Sequence, residues 1–131
     1  MVFVDTSAIH AFLAIDDESH AVAVETWKRF IEEGTPLFTT NYVVVESCAL
    51  LRRRLGMGAV RGLLDAVLPA IEVQWVTKEG HELAMRSLMA ARRRKLSLVD
   101  CCSFVTMRAA SCHVAFAFDK HFKEEGFRFP A

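Results

Sequence analysis

No apolar run in the chain approaches the ~20 consecutive residues that a membrane-spanning helix needs, so a membrane is not among the expected partners. The opening Met-Val-Phe-Val-Asp lacks a basic segment followed by a long apolar stretch, and no secretion signal is visible. None of the four cysteines (Cys48, Cys101, Cys102 and Cys112) forms a Cys-x-x-Cys pair, and all lie in apolar surroundings. That pattern argues against a disulfide framework or a zinc site and for buried free thiols in a reducing, cytoplasmic setting. His10, His20, His81, His113 and His121 are scattered without ligand spacing, which points to surface or structural roles. Internal repeats, low-complexity segments and linkers are also absent, so the 131 residues read as a single domain over 1–131.

Apolar material is abundant. Hydrophobic residues make up 53% of the chain and the mean hydropathy is +0.24. That is more than a monomer of this size readily hides, and it predicts a homodimer. Either the stretch Ala59-Val60-Leu63-Leu64-Val67-Leu68 or residues 42–50 would supply part of the interface. The net charge is zero, but residues 52–95 hold ten basic and four acidic side chains, leaving +6 there and −6 elsewhere. A basic middle is a weak pointer to polyanions; solvated helix faces account for it equally well.

Hydrophobic patterning alternates strand and helix. Val2-Phe3-Val4 reads as a strand, and Asp5-Thr6-Ser7 as the cap of a helix through Leu13. Asp16-Asp17-Glu18-Ser19 opens a second helix, ended by Gly34; Leu37-Phe38-Thr39-Thr40 is a second strand, and Asn41 caps a helix over 42–55. A further amphipathic helix runs through Leu68 to Pro69. Residues 72–76 alternate as a strand, Thr77 caps a helix to about Lys95, and Ser97 starts another to about Ser111. Residues 113–118 form the fourth strand and Phe127-Arg128-Phe129 a short fifth. Crossovers of this length exclude hairpins and predict an α/β fold with a parallel sheet and helices on both faces.

Four acids fall at informative places. Asp5 and Asp119 follow strands one and four, while Glu46 and Asp100 lie one turn into the helices after strand two and after Ser97. Open α/β sheets bind ligands in the crevice beyond the carboxyl ends of their strands. If strands one and four are neighbours, their end residues lie about 5 Å apart. Each acid alone has an ordinary explanation. Asp5 can cap a helix, Asp100 completes a capping box with Ser97, and Asp119 can sit in a turn beside Lys120. Glu46, on the apolar helix Tyr-Val-Val-Val-Glu-Ser-Cys-Ala-Leu-Leu, is the hardest to dismiss. Two carboxylates ~4 Å apart repel by about 4 kcal/mol at an effective dielectric of about 20, so a cluster of four calls for a cation. Oxygen ligands without His or Cys suit Mg²⁺ or Mn²⁺, and such a site can activate water against a phosphodiester.

These blocks resemble the PIN-domain family, and within it the small toxin nucleases of VapBC-type toxin–antitoxin pairs. The resemblance covers essentially the whole chain: Val-Phe-Val-Asp-Thr-Ser-Ala at 2–8, Thr-Thr-Asn-Tyr-Val-Val-Val-Glu at 39–46, Leu-Ser-Leu-Val-Asp at 96–100, and Ala-Phe-Asp-Lys-His-Phe at 117–122. It implies a three-layer fold with a five-stranded parallel sheet in the order 3-2-1-4-5, and Mg²⁺- or Mn²⁺-dependent endoribonuclease activity. It also implies an RNA substrate and a cognate antitoxin. Asp5, Glu46, Asp100 and Asp119 match its acidic positions, and Ser7 a hydroxyl near the metal. The chain departs from many relatives in having Ala117 where they carry Thr or Ser, and Lys120 and His121 where they carry a further acid. These departures leave the four acids intact and bear on a second metal. His121 alone among the histidines stands two residues after a candidate ligand.

Arg92, Arg93, Arg94 and Lys95, shortly before Asp100, are candidates for holding RNA phosphates. The alternatives are a non-toxin PIN nuclease of RNA processing and a catalytically inactive RNA- or protein-binding PIN domain, which would be expected to have lost an acid. A receiver or an aspartate-nucleophile phosphatase shares only the fold-level analogy. The phosphatase signature Asp-x-Asp is broken by Ser7, and the tail offers no convincing receiver lysine.

Overall fold

The computed structural model describes residues 1–91 and 95–131. Its sheet is parallel throughout, in the order β3-β2-β1-β4, built from β1 (Val2–Val4), β2 (Leu37–Thr40), β3 (Glu72–Gln74) and β4 (Ala115–Phe116). Phe3 is in register with Phe38 on one side and with Ala115 on the other, so β1 is central. Every residue of β1, β2 and β4 is buried, as expected for parallel strands covered on both faces.

Alternation along the strands divides the core in two. Val4 and Phe116 pair across β1 and β4 and face α1 (Thr6–Leu13) and α2 (His20–Glu33), where Phe116 meets Phe30 edge-on at 5.5 Å. Phe3 and Phe38 face the other way. Phe3 lies 6.4 Å from Phe122 of α7 (His121–Glu124), which packs edge-on against Phe104 of α6 (Leu98–Ala109) at 5.1 Å. Outside α6 lies α5 (Lys78–Ala90), joined to it by a small cluster of Ala84, Cys101 and Cys102. All four cysteines are free, and burial pushes the Cys102 thiol up to about 11.

Local signals act as expected at most boundaries. Gly34 ends α2 in the left-handed conformation at φ 65°, where a Cβ would be strained, and its N–H closes on the carbonyls of Phe30 and Ile31. The helix after β2, α3 (Asn41–Leu55), is capped one residue earlier than expected, by the Thr40 hydroxyl on the Val43 N–H at 3.2 Å. Asn41 instead accepts the Val76 N–H through Oδ1 at 2.7 Å, tying α3 to the end of β3. The stretch expected as one helix to Pro69 is α4 (Met57–Gly62), a π turn (Leu63–Val67) and a 3₁₀ turn (Leu68–Ala70) containing the proline. Its Val60, Leu63 and Val67 are core residues, while Leu64 is exposed.

Three strands are shorter than expected, β3 ending at Gln74 rather than at residue 76. β4 stops at Phe116 because its partner β1 has ended: Asp5 N–H takes the Phe116 carbonyl at 3.0 Å, and Phe118 N–H turns to the Ser7 hydroxyl at 2.9 Å. The expected fifth strand is present as a single parallel bridge between Val114 and Arg128, flanked by Ala115 N–H to Arg128 carbonyl and Arg128 N–H to His113 carbonyl. It lies beside β4 as the order 3-2-1-4-5 requires, but is too short to count as a strand. Among the described residues, no helix is long and apolar enough to cross a membrane.

Candidate metal centre

The crevice lies where α/β chemistry places it, beyond the carboxyl ends of β1 and β4. Asp5 is the first residue past β1 and the N-cap of α1. Its Oδ2 accepts both the Ser7 backbone N–H at 3.1 Å and the Ser7 hydroxyl at 2.6 Å. The same hydroxyl oxygen accepts the Phe118 N–H, so Ser7 joins the end of β1 to the segment that delivers Asp119. Asp100 reaches the crevice through a complete capping box: its N–H meets Ser97 Oγ at 3.0 Å, and its Oδ2 accepts the Ser97 N–H at 3.0 Å. The cap uses one carboxylate oxygen and orients the other. For Asp5 and Asp100, then, capping and a place in the cluster are compatible. Asp119 is held by a local turn, its Oδ1 accepting the His121 N–H at 3.0 Å.

The charges of these groups feel one another. Burial is the main cause that raises the Asp5 carboxyl from 3.8 to about 7, with hydrogen bonds from Ser7 opposing and the charges of Asp100 and Glu46 adding to it. Glu46 is raised by burial and by Asp100 and Asp119, against a hydrogen bond from Thr6. Asp100 is raised by burial and Asp119, against its bonds to Ser97 and the charge of His121. Carboxylates from four distant stretches of chain thus act on one another, Asp5 and Asp100 buried and Glu46 and Asp119 partly exposed.

Among the described residues, the tightest set of donor atoms is Asp100, Asp119 and His121, each offering one ligand atom within 4.8 Å of the others. Asp5 and Glu46 flank that set and couple to it through their charges. The donor chemistry fits a hard or borderline divalent cation. His121 stands beside the acids although the sequence places it outside the candidate ligand set, its spacing from Asp119 at the start of a helical turn being the one signal there. Thr6, expected as part of a cap, hydrogen-bonds Glu46. An open groove of about 320 Å³ runs past Asp119, lined by Ser7, His10, Asp17, Arg54 and Phe118 among others. Larger hollows lie elsewhere, one of about 530 Å³ between Ser87 and Arg108, yet without the carboxylates. An open groove rather than an enclosed pocket suits a long polyanion. Of the basic run, Arg92, Arg93 and Arg94 lie outside the described residues, and Lys95 is exposed in the turn before Ser97.

Comparison with known proteins identifies the family and the fold. The family model for the PIN domain matches residues 2–127. The 23S rRNA-specific endonuclease VapC20 of Mycobacterium tuberculosis is 34% identical over 128 residues, which are 97% of this chain and 95% of that protein. The crystal structure of the same VapC20, described as a sarcin–ricin loop cleaving toxin, superposes with a TM-score of 0.85 at 33% identity, covering 97% of this chain and 96% of that one. FitAcB from Neisseria gonorrhoeae shares the fold at a TM-score of 0.73 and 15% identity, with 100% of this chain and 97% of that one covered.

Proposed function

The chain belongs to the PIN-domain family, and from that premise we propose that it is a Mg²⁺- or Mn²⁺-dependent endoribonuclease, the toxin of a toxin–antitoxin pair, with Asp5, Glu46, Asp100 and Asp119 as its active-site acids. The observation that carries this reading is the convergence of four mutually repelling carboxylates at the mouth of a parallel sheet, an arrangement that is unfavourable without a cation. A divalent cation held there neutralises that charge, binds phosphate oxygens and makes a water nucleophilic at neutral pH. The chain's own part is to fix the acids beforehand: Ser7 holds Asp5, Ser97 holds Asp100, and the turn at Asp119 holds its carboxylate. Because Ser7 also holds the Phe118 N–H, Asp5 after β1 and Asp119 after β4 are tied together through one hydroxyl.

RNA containing a sarcin–ricin loop is the first substrate to offer, given the likeness to VapC20. The antitoxin expected as partner would cover the groove and set a basic side chain among the carboxylates in place of the cation. A homodimer is supported by apolar side chains left in solvent on α3 and α5, which meet at the Tyr42–His81 hydrogen bond: Val45, Leu83, Met85 and Met89. Light scattering at tens of micromolar should give twice the monomer mass, and a monomer would remove that part of the reading.

The decisive experiment is cleavage of end-labelled RNA, with and without a sarcin–ricin loop, in chelator, Mg²⁺ and Mn²⁺. Discrete fragments that need the metal support the nuclease. A folded, metal-loaded protein that binds RNA and never cuts it would make the chain a binding domain instead.

A further inference from the structure

We propose that Nδ1 of His121 joins Asp100 and Asp119 as a direct ligand of the divalent cation, giving the centre one nitrogen donor and a preference for Mn²⁺ over Mg²⁺. The inference rests on the metal-dependent reading above and adds a ligand of a different chemical kind.

Two independent observations carry it. The first is position: Nδ1 lies 3.0 Å from Asp119 Oδ1, and the ligand atoms of Asp100, Asp119 and His121 are all within 4.8 Å of one another. Neighbouring ligands of an octahedral ion with bonds of ~2.1 Å are about 3.0 Å apart and opposite ones about 4.2 Å, so small side-chain movements close the set around one ion. The second is the state of the ring. His121 is 8% exposed, and Nδ1 is fully buried with no hydrogen-bond partner among the described residues. Asp119 Oδ1 is near enough to attract a charged ring, but it already accepts the backbone N–H of His121 and meets Nδ1 off the hydrogen-bonding direction. A buried imidazole nitrogen without a partner, aimed at two carboxylates, is left as a lone pair for a cation.

The ring is held there by its neighbour. Phe122 is wholly buried between Phe104, Phe3 and Phe127, so the first turn of α7 has little freedom to swing His121 away. His10, also on the groove, is engaged elsewhere, with Nδ1 3.2 Å from Asp17 Oδ2. Imidazole is a softer donor than carboxylate, and Mn²⁺ accepts it more readily than Mg²⁺, a harder ion that keeps to oxygen ligands and water.

Pulsed electron paramagnetic resonance of the Mn²⁺-loaded full chain reads this directly. Wild type and His10→Gln should show modulation from a coordinated nitrogen, and His121→Phe should lose it. Mn²⁺ affinity by titration should fall at least about tenfold in His121→Phe, while Mg²⁺ affinity falls by much less. Should that variant fail to fold, wild type labelled with nitrogen-15 histidine must show the isotope change in its modulation. Mn²⁺ bound without nitrogen modulation, or with modulation that survives in His121→Phe, overturns the proposal and leaves the carboxylate centre standing. Failure of wild type to bind Mn²⁺ at all would instead overturn the metal-dependent reading itself.

Discussion

Replacing Asp5 by asparagine should make the metal-free protein more stable and the metal-loaded protein inactive. The Asp5 carboxyl is 4% exposed and is raised, chiefly by burial, from 3.8 to about 7. Between those values the native state keeps a proton that the unfolded chain has released. Stability therefore falls as pH rises through that window and levels off above about 7. Each pKa unit is about 1.4 kcal/mol, so the full displacement amounts to about 4 kcal/mol above pH 7, of which about 2 kcal/mol develops between pH 5 and pH 7. Asparagine keeps an oxygen to accept the Ser7 N–H and hydroxyl and carries no charge at any pH. In chelator at about pH 8, Asp5→Asn should gain up to about 4 kcal/mol over wild type, about 10 °C or more in melting temperature, and at about pH 5 less than half of that. Glu46 and Asp100 are also raised, so the variant keeps a weaker slope of the same sign. Adding Mn²⁺ at about a hundredfold excess over its dissociation constant should stabilise wild type by about 2.7 kcal/mol and the variant by much less, reversing part of the gap. Urea unfolding at the two pH values, with and without metal, is the assay. A wild-type midpoint equal at both, or a variant less stable than wild type at about pH 8, would refute the claim that this carboxylate is buried at a cost.

Asp100→Asn retains an oxygen for the Ser97 N–H, so metal-free stability should change by no more than about 1 kcal/mol while single-turnover RNA cleavage drops by orders of magnitude; normal cutting would leave Asp100 as a cap alone. Ser7→Ala strands the Phe118 N–H and removes a bond to Asp5, and should cost about 1–3 kcal/mol in urea unfolding together with a weaker Mn²⁺ affinity, whereas unchanged metal binding would make Ser7 purely structural. Replacing Arg92, Arg93, Arg94 and Lys95 together by alanine should weaken RNA binding and flatten its dependence on salt, and an unchanged salt titration would assign the run to a solvated face.

The elements and the four acids were legible in the sequence because their signals are local. Period-two apolar runs make β1 and β2, Gly34 ends a helix, and Ser97 with Asp100 writes its own cap. Asp5 and Asp119 follow strand ends, Asp100 lies in the first turn of α6 and Glu46 in the second turn of α3, and the parallel α/β pattern gathers these positions on one edge. What blurred were lengths and offsets settled by neighbours. β4 is two residues long because β1 ends beside it, and Thr40 caps α3 because Asn41 is taken by Val76. The stretch before Pro69 turned Val60, Leu63 and Val67 into the core and left Met57 and Leu64 in solvent, as Val45 of α3 and Leu83, Met85 and Met89 of α5 also are.

By itself the sequence determined the fold class, the parallel crossovers and which carboxylates stand at strand and helix ends, since these follow from periodicity and capping within short windows. Only the tertiary structure decided how those acids feel one another, that the Ser7 hydroxyl bridges the ends of β1 and β4, and that His121 turns toward Asp119 a buried nitrogen with no hydrogen bond among the described residues. Burial and charge coupling depend on what the rest of the chain packs around a residue, and a ring's direction depends on the aromatic cluster that grips its neighbour. Neither is written in the residues beside it.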